Sequence, residues 1–173
     1  PCGSWSRANW ANTDGPAPCR NRRHPWGLPN NLGNQRRRAE NGNTFVHFTL
    51  RAIAAARAAK AKGKWVACLL EHPEDLGAVF STPHKEIGKE PASIWQLPEV
   101  RGAFGSDRHW CVAGHQCQYP GVDRKKPTRL LSDLEGVEKF GIVGWPTFDA
   151  AGFYAGPLPQ QCGHKHLQQM IET

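Results

Sequence analysis

Apolar positions along this chain gather into one helical run, one continuous strand-like run and a weaker third, all set among loops. Between positions 35 and 62, Phe45, Phe48 and Ile53 stand among Ala52, Ala54, Ala55, Ala56, Ala58 and Ala59. Alanine is the strongest helix former, so this stretch predicts a helix. Arg51, Arg57, Lys60 and Lys62 lie toward its C-terminal end, where cations complement the dipole, and Gly63 is a natural stop. The next run, Trp65-Val66-Ala67-Cys68-Leu69-Leu70, is apolar throughout rather than alternating. That predicts a strand over 64–71 covered on both faces, with Cys68 as a buried thiol. Helix, short turn and buried strand together point to an α/β fold with a parallel sheet. Pro73 cannot continue a ladder, so Glu71 and His72 are expected at the carboxyl edge of that sheet, where open α/β sheets bind ligands.

The remaining segments lack sustained periodicity. Residues 1–33 are rich in Gly, Pro, Asn and Arg and read as a long loop, of a length that is usually functional or disordered. A Pro-rich connector (73–98) and a Cys/His-dense stretch (109–117) precede a further strand over 126–131. A Gly/aromatic segment (140–156) then leads to Cys162-Gly163-His164-Lys165-His166. No internal repeat, phosphate loop or dinucleotide glycine fingerprint is present. The chain reads as a single domain over 1–173, with a basic loop (1–33), an α/β core (34–140) and a Cys/His-containing segment (141–173).

Composition sharpens the picture. Hydrophobic residues make up 39% of 173 positions, beside 18 Gly and 14 Pro, so the core is expected to be loop-rich. No run approaches the roughly 18 apolar residues of a membrane span. Pro1-Cys2-Gly3 has neither a signal-peptide pattern nor an initiator Met, so a processed or incompletely traced chain is expected. The net charge of +7 is concentrated in Arg20, Arg22, Arg23, Arg36, Arg37 and Arg38. A guanidinium fork matches phosphate oxygens, which points to a nucleic-acid partner; a solvated basic face is the alternative. Six cysteines without a secretory signal favour a reducing, intracellular setting, nuclear or cytoplasmic.

Two constellations carry candidate chemistry. Cys2, between Pro1 and Gly3, sits where a sharp turn with exposed amides would favour a thiolate. His109, Cys111, His115 and Cys117 are close in sequence, as are Cys162, His164 and His166. Zinc takes four N or S ligands, and Cys117, Cys162, His164 and His166 are the preferred set. The tryptophans are expected to build the core, with Trp5 or Trp26 also placed to stack on a base.

Taken in order, Pro1-Cys2 followed by Trp5-Ser6, Glu71-His72-Pro73 at a strand end, Ser93-Ile94-Trp95-Gln96-Leu97-Pro98, Cys117-Gln118-Tyr119-Pro120-Gly121 and Lys126-Pro127-Thr128-Arg129-Leu130 resemble the cytosine-5 DNA methyltransferases, especially their phage and protist relatives. The resemblance covers most of the chain and only the catalytic-motif half of that family. It implies part of a class I, Rossmann-like methyltransferase sheet with long loops. Cys2 would be the nucleophile toward carbon 6 of a flipped cytosine, and Glu71 its partner acid. Ser6, Arg7, His72, Lys126 and Arg129 would contact the substrate. His72 stands where the family has Asn. S-adenosyl-L-methionine is the implied methyl donor, bound by an upstream domain or a partner chain. A different class remains open beside it: a basic DNA- or RNA-binding module of a mobile element or larger complex, stabilised by zinc.

Overall fold

The alanine-rich run folds as expected into helix α1, Gly33–Ala61, in the computed structural model, which describes Trp5 and residues 17–73, 92–119, 127–150 and 154–156. Its C-terminus closes as a Schellman motif: Lys64 N–H donates to Ala59 O at 3.1 Å and Gly63 N–H to Lys60 O at 2.9 Å. Gly63 takes φ +75°, a left-handed conformation that other residues adopt only with strain. The buried positions of α1 are Ala39, Gly42, Val46 and Ile53, spaced to form one stripe along the helix.

Four strands form the main sheet: β1 (Leu69–Pro73), β2 (Trp110–His115), β3 (Pro127–Ser132) and β4 (Ile142–Val143), in the order β1-β3-β2-β4. The architecture is therefore mixed α/β. Its strand pairings differ from the parallel arrangement expected, since every neighbouring pair among the described residues is antiparallel. Connection length explains the difference. Residues 116–126 leave no room for the helical crossover that parallel neighbours require, so β3 turns back along β2. On its other edge β3 pairs with β1, so that β1 and β2 point the same way with a reversed strand between them.

The strand expected over 64–71 pairs only from Leu69, and it is not covered on both faces. Trp65 is 94% exposed and Leu69 52%, while Val66, Cys68 and Leu70 are half-buried. This alternation means that a single face of the segment packs among the described residues. Cys68 is a half-buried thiol whose pKa is raised, first by desolvation and then by the Asp133 carboxylate. The Cys/His-dense stretch is mostly strand β2, with Cys111 in the core and His109 stacked on Phe104 at 5.3 Å.

One sheet face, through Leu131 and Cys111, joins α1 in a core with Ile94, Trp95, Val100 and Phe104. A capping box seats Trp95. Ser93 Oγ accepts from Trp95 N at 3.2 Å, and Ser93 N donates to Gln96 Oε1 at 3.0 Å, fixing a 3-10 turn over Ile94–Gln96. A short helix, α2 (Pro98–Arg101), follows. The opposite face buries Val112 and Leu130 under Val137. A small hairpin, β5 (Thr147–Phe148) with β6 (Tyr154–Gly156), lies apart from the main sheet. Among the described residues no helix is long and apolar enough to cross a membrane.

Candidate functional site

Register places the end of β1 with care. Glu71 stands opposite Leu130 and His72 opposite Arg129, so the two side chains leave the strand on alternate faces. His72 is buried; its Nδ1 donates to Pro73 O at 3.0 Å, and its ring meets Trp95 edge-on at 6.1 Å. Beside them lies a cavity of about 170 Å³ between α1 and β1. Phe45, Val46 and Leu50 of α1 line it, with Leu70, Glu71 and His72 of β1, Ile94, Val100 and Trp5. An apolar pocket with an imidazole in its wall has the general composition of a small-molecule or base site; Glu71 borders it from β1, with its side chain on the sheet face that Leu130 shares.

Trp5 links this pocket to the start of the chain. It is buried, 3% exposed, and packs edge-to-face on Trp26 with centroids 5.8 Å apart. Trp26 in turn stacks on His47 of α1 at 4.9 Å. The Arg20 guanidinium carbon lies 3.7 Å from the Trp5 ring centroid, a cation–π contact. Cys2, Ser6 and Arg7 lie outside the described residues.

Arg20 corrects one expectation from the sequence. Read there as a phosphate contact, it is fully buried and donates to Pro25 O at 2.6 Å, Asn43 Oδ1 at 3.0 Å and Ala39 O at 3.0 Å. Burial pushes its pKa down to about 10, still far above neutrality, so the guanidinium stays charged. Its role is to tie the 17–31 segment to α1. Arg129, expected at the sheet rim, is likewise fully buried in the middle strand, where Nη1 donates to Cys111 Sγ at 3.4 Å and to Gly144 O. It joins β3 to β2 and to the turn after β4 and is closed to substrate. Lys126 lies outside the described residues.

The other basic positions are accessible. Arg22, Arg23, Arg36 and Arg37 are exposed, and Arg38 is half-buried against Ala17 O at 3.4 Å. Arg36 pairs with Glu40 at 2.8 Å and Arg37 donates to Asn34 Oδ1 at 2.7 Å. Arg22 donates to Ala150 O, and Arg101 of α2 donates to Trp95 O and Pro146 O, each at 2.8 Å. Arg22 and Arg101 share the wall of a second, open cleft of about 400 Å³ with Gln96, Phe148 and Asp149. Sequence reading missed Arg101 because it stands alone, outside the arginine cluster.

Of the proposed zinc set only Cys117 is among the described residues, where it is buried; Cys162, His164 and His166 lie outside them. Among the described residues no three His, Cys, Asp or Glu side chains come together as a metal site. His109 stacks on Phe104, Cys111 lies in the core, and His115 is buried at the end of β2. Comparison of the chain with protein-family models, curated proteins and solved structures finds no match.

Proposed function

We propose that this chain is the catalytic-motif half of a cytosine-5 DNA methyltransferase-like domain, with Cys2 and Glu71 serving one base pocket. The observation that carries the reading is Trp5: it shares the pocket wall with Glu71 and His72, although the two segments are far apart in sequence. Three peptide units join Cys2 to Trp5, a reach of at most about 11 Å.

In this reading the Cys2 thiolate adds to carbon 6 of a cytosine drawn out of its stack. Glu71 holds the ring nitrogen and exocyclic amine, offsetting the charge that develops on the ring. The electron pair of the former 5,6 double bond makes carbon 5 nucleophilic. S-adenosylmethionine would supply the methyl group there, but the described residues do not fit that cofactor. A turn segment precedes α1 where a cofactor site would need a strand, and among the described residues no glycine-rich strand-to-helix turn is formed. An upstream segment or partner chain would carry it.

Carbon 5 also takes a proton from water once carbon 6 is attacked, and reversal then leaves cytosine with a solvent hydrogen at carbon 5. Incubating single-stranded DNA with the protein in deuterated water should therefore label cytosine at carbon 5. Cys2→Ala should abolish labelling, and Glu71→Gln should slow it about 100-fold or more. Labelling by Cys2→Ala at the unsubstituted rate would sink the reading.

The exposed Arg22, Arg23, Arg36 and Arg37 favour a second reading, a nucleic-acid-binding module without chemistry. It predicts tight binding to DNA and no exchange in any variant.

A further inference from the structure

Arg22 and Arg101 sit in the wall of one cleft, and both are held by backbone carbonyls rather than carboxylates. Arg22 donates to Ala150 O; Arg101 donates through Nε to Trp95 O and through Nη2 to Pro146 O, and its guanidinium carbon lies 5.1 Å from the Trp145 ring centroid. A carbonyl fixes the orientation of a guanidinium without cancelling its charge. Neither arginine forms an ion pair among the described residues. A guanidinium has five N–H donors, so both keep donors to spare. Two oriented, unneutralised forks on one cleft match the oxygens of a phosphodiester. Phe148, half-buried in the same wall and packed against the core, adds apolar surface, and Asp149 adds one opposing charge that leaves the cleft net positive.

We infer that this cleft, and not the N-terminal turn of α1, carries the backbone of the nucleic-acid strand, with Arg22 and Arg101 on one phosphate and Phe148 against the adjoining base. At the start of α1, Arg36 is paired with Glu40, which offsets its charge, and Arg37 donates to Asn34 with no ring beside it among the contacts of the described residues. The inference rests on the nucleic-acid reading given above and names the surface that serves it. An acidic polypeptide is the competing occupant, and it is disfavoured because apolar surface gives a carboxylate chain no gain.

The test is a salt titration of the full chain with a fluorescein-labelled single-stranded oligodeoxycytidine, read by anisotropy. Arg22→Ala removes one phosphate contact, so the slope of log affinity against log salt should fall by about 0.7, with affinity reduced about three- to ten-fold. Arg101→Lys keeps the charge and loses the fork. It should weaken binding while leaving the slope nearly unchanged, which a merely unfolded variant would not do. Phe148→Leu should weaken binding with no change in slope. If the unsubstituted chain binds and both arginine variants match it, while Arg36→Ala with Arg37→Ala loses affinity, the cleft is overturned and the nucleic-acid reading survives. No binding by the unsubstituted chain at low salt overturns both. Displacement of the oligonucleotide by polyglutamate at equal charge concentration overturns the cleft in favour of a protein partner.

Discussion

Arg20 shows how far a single residue can depart from the pattern around it. In sequence it belongs to a basic cluster; in the fold it is interior, with three acceptors and a tryptophan ring on its guanidinium. Charge-assisted hydrogen bonds contribute about 1.5–3 kcal/mol each, and losing several leaves buried acceptors unpaired. Arg20→Met should therefore lower unfolding free energy by about 2–4 kcal/mol, read from the denaturant midpoint at unchanged slope. Arg37→Met, on the exposed side of α1, should change it by less than about 0.5 kcal/mol. Nothing in residues 20–38 distinguishes these two arginines by composition. What separates them is the segment folding back on α1, a non-local event that spacing does not encode. Trp65 fails the other way: its apolar neighbours predict burial, yet only alternate residues of that run meet the core.

Elements were more legible than residues where the signal was local. The alanines and Gly63 mark α1 to within two residues at the start and one at the end, because helix propensity and a left-handed cap act within a few positions. The strand over 126–131 was also visible and appears as β3. Strand direction was not visible, since it depends on which distant partner each edge meets. Strand β2 was hidden because its Cys and His side chains look like ligands while serving as core and ladder positions. One glycine tests the sheet crossing. A Cβ on Gly141 would collide with the backbone of Ala113 and crowd Gly114. Its φ of 171° is ordinary extended backbone, so the constraint is space alone. Gly141→Ala should destabilise the fold by about 1–3 kcal/mol through displacement of β4, seen as a lower melting temperature. Gly136→Ala meets no neighbour and should cost about 1–2 kcal/mol from its left-handed φ of 92° alone.

At the scale of the whole molecule, the fold brings the end of β1, the stripe of α1 and the start of the chain to one apolar pocket. The order of motifs along the chain predicts that Cys2 meets Glu71 there, and Cys2 lies outside the described residues; the packing of Trp5 between Trp26 and Arg20 did not show in the sequence. The central claim is that Cys2 and Glu71 approach each other at the rim of the sheet beside the pocket. A carboxylate close to a thiol disfavours the thiolate, so removing its charge must lower the thiol pKa. The direct measurement is the pH dependence of Cys2 alkylation by iodoacetamide, followed by peptide mapping, in the unsubstituted chain and in Glu71→Gln. The account predicts that the Cys2 profile moves to lower pH by about 0.5–1 in the variant, as expected for one charge a few ångströms away at protein-surface screening, while the profile of Cys68 stays in place. Superimposable Cys2 profiles in the two proteins would contradict it.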